Sequence, residues 1–184
     1  MDLDSHTNTC VLGKEWLKVY DFNFPVNVSC WNLKDGERLF QTISGAVAYD
    51  HPQSRKLYIL IFRQCIHVDH LDHHLLCTMY CRMNGVEVNE MPNFLFKWKI
   101  ESSHAIVVDN QYGDMPMIVP LSINSVTSYF PCRKPTRSEY KNGDVPRIKF
   151  TYEAPDWDPS YQEFSEREGE MKYFRGTVVE EAEI

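Results

Sequence analysis

The chain has neither a long apolar run nor a cluster of basic residues. Crossing a bilayer takes about twenty consecutive apolar residues in a helix. Asp2, Asp4, Lys14 and Glu15 break up the first twenty positions, so no secretory leader and no membrane span is expected there, and a cytoplasmic setting is. Nucleic acid and anionic lipid both require grouped Lys and Arg. With 26 acidic residues against 19 basic ones and a net charge of -7, neither is an expected partner. Trp16, Trp31, Trp98 and Trp157 do not alternate with basic residues as a single-strand binding platform would. They read as core or docking anchors. Also missing are the Cys-x-x-Cys pair of a zinc ribbon and the His-Glu-x-x-His helix of a metallopeptidase.

What is present is enough to fold. Over 184 residues, 43% apolar composition can build a sizeable core. Six cysteines, Cys10, Cys30, Cys65, Cys77, Cys81 and Cys132, are expected reduced, most of them as small buried apolar side chains. Asn27-Val28-Ser29 matches a glycosylation acceptor but carries no weight without a secretory route.

The periodicity is mainly β. Val26 to Leu33 alternates apolar and polar residues, Asp35-Gly36 supplies a tight hairpin turn, and a second strand should run from Arg38 to Tyr49. Gly45, inside that strand, marks a bulge or a close backbone approach. Leu57 to Phe62, rich in β-branched and aromatic residues, should be the central buried strand. Within Leu75 to Gly85, Thr78 is placed to cap a short helix, Leu75, Met79 and Met83 recur at spacing four, and Asn84-Gly85 is a stop. Gly85 to Val88 should restart as a strand. Ala105 to Val108 and Met115 to Val119 should pair across the turn 110–113. Beyond Pro131, prolines and an acidic stretch from Glu163 to Glu183 read as a linker and a largely disordered tail, with a short strand at Arg147 to Tyr152.

The candidate chemistry begins near the amino end, where Leu3-Asp4-Ser5-His6-Thr7 sets a carboxylate between an apolar residue and small hydroxyl residues. An apolar residue with Asp-Ser-x-Thr, a hairpin with a Gly turn, a buried strand, then Leu75-Leu76 opening a short helix that ends at Gly85 resembles a retropepsin. Leu57 to Val88, with His74-Leu75-Leu76-Cys77-Thr78-Met79-Tyr80-Cys81, resembles more closely the protease region of copia-like retrotransposon polyproteins. Ile118 to Leu121, Ser128 to Phe130 and Arg133 to Thr136 are similar to the segment following that region. His6 and Cys77 stand where retropepsins carry glycine.

The resemblance implies a small closed barrel with one short helix over 1–90; the alternating segments beyond it read as a β-rich extension over 91–136, and the composition after that as a linker and tail over 137–184. The resemblance also implies a homodimeric aspartic endopeptidase needing no cofactor, acting on peptide or polyprotein in the cytoplasm or inside a retroelement particle. Asp4 would be one half of a catalytic dyad, Ser5 the hydroxyl that buttresses it, and Asp35-Gly36 the flap tip over the substrate. Two other readings stay open. One is an inactive remnant kept as a dimeric interaction module. The other is a structural zinc site drawn from His67, His70, His74, Cys77 and Cys81, against which stands a solvated loop of histidines beside packed cysteines.

Overall fold

The computed structural model describes residues 1–29, 37–95, 103–109, 115–151 and 166. In chain order the elements are β1 (Asp2–Asp4), β2 (Val11–Leu12), β3 (Leu17–Ser29), β4 (Glu37–Asp50), β5 (Leu57–His67), β6 (Leu75–Cys77), α1 (Thr78–Met83), β7 (Glu87–Asn89), β8 (Ala105–Val108), β9 (Met117–Pro120), β10 (Ser122–Asn124), β11 (Thr127–Tyr129), α2 (Arg137–Lys141) and β12 (Arg147–Lys149). One turn of 3-10 helix, Asn93–Leu95, lies between β7 and β8. The protein is mainly β, as its alternating segments predict.

The large sheet runs β10-β11-β1-β6-β2-β5-β4-β3, and β7-β8-β9 form a separate antiparallel sheet. The expected closed barrel does not form among the described residues, because the path ends at β10 on one side and β3 on the other. Among the described residues there are two short α-helices, not one.

β5 is the axis of the sheet, as its composition predicts. It pairs antiparallel with β4 along its whole length. Its other edge is shared: β12 lies parallel to Ile59–Ile61, and β2 lies parallel to Ile66 and His67. Gly45 meets both expectations for a strand glycine. The β4–β5 register shifts between Ile43 and Gly45, and a Cβ on Gly45 would lie 2.2 Å from Leu12 Cδ1 and 2.7 Å from Trp16 Cε3.

The segment after His74 departs from its helical periodicity. Leu75–Cys77 is a strand because its backbone is taken up on both sides, with Asp2 and Leu3 of β1 facing Leu75 and Leu76, and Val11 of β2 facing Leu75. Long-range pairing overrides local propensity here. The helix starts at Thr78, capped by Cys77, whose Sγ accepts the Tyr80 N–H. Its buried residues are Thr78, Tyr80 and Cys81, while Met79 and Met83 are exposed. The stop is as expected: Gly85 takes a φ of 78°, its N–H donates to Arg82 O, and Val86 N–H donates to Cys81 O, which caps the last carbonyls.

Hydrogen bonding crosses both boundaries expected at 90 and 136. β10 and β11 join the sheet beside β1, and β12 joins it beside β5. Phe130 and Phe150, fully buried, enter the main core with Tyr49 and Phe62. Arg133 ties the later segment down: its backbone pairs with Ala48, and its guanidinium contacts Asp50 (2.8 Å) and Glu139 (2.8 Å). Glu139 in turn closes a capping box with Thr136 at the start of α2. The Arg133 guanidinium and the Thr136 N–H hold the Glu139 carboxyl down at about 2.

Gly13 and Gly143 provide a controlled comparison. A Cβ on Gly13 would sit 2.2 Å from the carbonyl oxygen of His73 and 2.4 Å from that of Leu71, whereas nothing lies within 4 Å of one on Gly143. Gly13→Ala should lower stability by about 2 kcal/mol or more, and Gly143→Ala should stay within about 0.5 kcal/mol. Urea unfolding of both variants measures this. Equal midpoints would mean that the backbone around Gly13 yields freely.

Candidate functional site

β1 is three residues long but is held on both flanks, parallel to β6 and antiparallel to β11 at Asp2 and Tyr129. Leu3 turns into the core, which leaves Asp2 and Asp4 on the opposite face. Because β6 lies between β1 and β2, the chain leaving Asp4 must arch over the end of β6, where Cys77 pairs with Asp4. The crossing is stitched by hydrogen bonds. Cys77 Sγ donates to Thr7 O (3.0 Å), Thr7 Oγ1 donates to Asp4 O (3.1 Å), and Thr9 Oγ1 donates to Gln64 O (2.7 Å).

Within this arch the Asp4 carboxylate is half-buried, and its Oδ1 accepts the His6 N–H at 2.8 Å. That contact is the local turn an Asp forms with the residue two ahead. The hydroxyl that ties the loop belongs to Thr7. Ser5, expected in that role, is exposed, with its Oγ 3.4 Å from His6 Nδ1. The His6 side chain is 95% exposed, so it leaves open the space a glycine would leave at that position. Its Nδ1 is 3.8 Å from Asp4 Oδ1. Cys77, at the other expected glycine, uses its thiol to lace the arch to α1. The expected flap tip, Asp35-Gly36, lies outside the described residues, although β3 and β4 lead up to it in register as far as Ser29 and Glu37.

The candidate zinc set is not brought together as a metal site among the described residues. His67 packs its ring against Trp16 at 5.0 Å, and His70 is exposed beside Asp69. His74 spends both nitrogens on the backbone: Nδ1 accepts the Gly13 N–H (3.0 Å), so Nε2 carries the proton and donates to Glu15 O (3.0 Å). Cys77 serves the Asp4 arch. Cys81 is buried with Cys10 and Cys65 in the core, where burial pushes the Cys65 thiol up and its Sγ donates to Arg63 O (3.5 Å).

Two of these roles are not legible in the sequence. Thr9 and the buried clamp at His74 hold the loops on either side of β2, and a His between an exposed His and an apolar pair carries no local sign of it. A groove of about 540 Å³ lies elsewhere, over the start of β3, the middle of β4 and the end of β5, and Asp4 does not line it. No family model, curated protein or solved structure matches this chain.

Burial, reinforced by the neighbouring amino-terminal ammonium, pulls the His74 imidazole down to about 4 from its ordinary 6.5. The unfolded chain therefore binds this proton more readily than the folded one. The stability contributed by neutral His74 is complete above about pH 6.5 and is lost as the pH falls toward 4. The loss expected across that window is roughly 2–4 kcal/mol. Urea midpoints measured from neutral pH down to about pH 4 should fall more steeply for the native chain than for His74→Gln. Parallel profiles would show that the imidazole is not the group responsible.

Proposed function

We propose that this chain is an aspartic endopeptidase of the kind encoded by copia-like retroelements, cleaving polyprotein peptide bonds as a homodimer with Asp4 from each copy in its active site. The observation that carries the reading is the Asp4 arch. One carboxylate, oriented through a single oxygen by the His6 N–H, stands half-exposed on a loop laced to the end of β6 and to α1. Its second oxygen makes no hydrogen bond among the described residues and is available to a mate and to water.

Two such carboxylates about 3 Å apart cannot both ionise, so the pair shares one proton. The ionised member takes a proton from a water that attacks the peptide carbonyl, and the protonated member donates to the developing oxyanion. The shared proton belongs to the pair, not to either residue. By the same resemblance, Asp35-Gly36 would be the flap that covers an extended peptide and excludes water once substrate is bound. No cofactor enters this scheme. A dimeric interaction module without catalysis is the second reading. It is favoured by the position of the 540 Å³ groove, which excludes Asp4.

The purified chain should cleave peptides between roughly pH 4 and 6, with the acid limb cut short as His74 protonates. Asp4→Asn should take cleavage below detection while the dimer mass in analytical ultracentrifugation stays unchanged. Cleavage that survives Asp4→Asn would remove Asp4 from the chemistry. A proven dimer that cleaves nothing would leave the interaction module.

A further inference from the structure

The groove over the start of β3, the middle of β4 and the end of β5 has a chemistry that the Asp4 reading does not use. Lys14, Lys18 and Lys134 converge on it with Gln41 and His67, and no carboxylate lines it among the described residues. In a chain of net charge -7, three lysines on one concave wall, two of them ion-paired at the rim, leave it locally positive. Its floor is apolar, from Leu17 and Ile43. Beside them is a rigid flat surface, the Trp16 indole, seated where Gly45 lacks a side chain and buttressed by the His67 ring at 5.0 Å and 58°.

The cationic wall is anchored at its backbone. Lys14 follows Gly13, whose N–H is held by His74, and Lys14 N–H donates to Leu71 O. Lys134 lies between Arg133, paired with Ala48, and the buried Pro135. Two of the ammonium groups have carboxylate partners at the rim, Lys14 with Asp72 and Lys18 with Asp21, which also accepts from Gln41. Lys14, Lys18 and Asp72 are more than half exposed. Exposed pairs of this kind are worth little, so a doubly charged anion can take the same ammonium groups from their carboxylates.

We propose that this groove binds a small phosphorylated compound carrying a flat ring, of the mononucleotide class. The ring lies against Trp16 on the apolar floor, and the phosphate takes the lysine ammonium groups as point charges. A volume of about 540 Å³ is in the range of sites for ligands of that size.

The test is calorimetric titration of the full chain with AMP, with adenosine and inorganic phosphate as the two separate halves, alongside quenching of tryptophan fluorescence. AMP should bind saturably and more tightly than either half, and more weakly as salt rises to about 0.5 M. Lys134→Gln, an exposed change that leaves the fold intact, should weaken AMP by roughly ten-fold. Trp16→Leu should weaken AMP and leave phosphate binding unchanged. No saturable AMP binding would overturn the proposal, as would phosphate binding as tightly as AMP or indifference to Lys134→Gln. Preference for a long polynucleotide over AMP would also overturn it, in favour of a nucleic-acid surface. None of these outcomes depends on Asp4, so Asp4→Asn should bind AMP as the native chain does.

Discussion

The insertion of β6 between β1 and β2 is the constraint on which the rest of the structure depends. Two strands of three residues, separated by some seventy positions in sequence, lie parallel and bring Asp4 level with Cys77. Short parallel pairs are weak alone. This one is sustained because Leu3, Leu76 and Leu12 are buried beneath it and because β11 and β5 extend the sheet on either side. The loop between β1 and β2 must then cross the end of β6, and a polar loop crossing a buried strand end must find partners for its backbone groups. The Thr7 hydroxyl and the Cys77 thiol provide them for the Asp4 and Thr7 carbonyls, and the Thr9 hydroxyl ties the loop to Gln64 O on β5.

The same logic explains why the later part of the chain is not an appendage. The open edge of β5 requires two partners. β2 reaches only its carboxyl end, and β12 completes the other half. Phe130 and Phe150 follow from this placement and form tilted and edge-on contacts with Tyr49 (5.8 Å) and Phe62 (5.1 Å) and with each other (6.4 Å). Contacts of this geometry add to the burial of the rings themselves. The β1–β11 pairing likewise places residues from beyond 120 directly alongside the Asp4 strand.

Charge is distributed to match. Ion pairs join segments distant in sequence at Arg133 with Asp50 and at Lys14 with Asp72, beside local pairs such as Arg133 with Glu139. His74 does the corresponding work without charge, holding the Gly13 N–H and the Glu15 carbonyl from inside the core. A neutral imidazole suits a buried site because it can accept on one nitrogen and donate on the other with no ionic desolvation. The groove beside this loop then inherits its shape from His74 and Gly45 and its sign from the lysines.

The sequence by itself determined whatever depends on neighbours along the chain: the mainly β character, the long β4, the buried start of β5 over Leu57 to Phe62, the bulge at Gly45 and the Asn84-Gly85 stop. Alternation, glycine conformation and side-chain-to-backbone reach are all local properties. Only the tertiary structure decided that Leu75–Cys77 is strand and not helix, that Thr7 and not Ser5 ties the loop, and that His74 is a buried clamp. It alone also decided that no barrel closes among the described residues. Each of these depends on which distant segment takes up a backbone group or fills a volume, and nothing within a few residues encodes that choice.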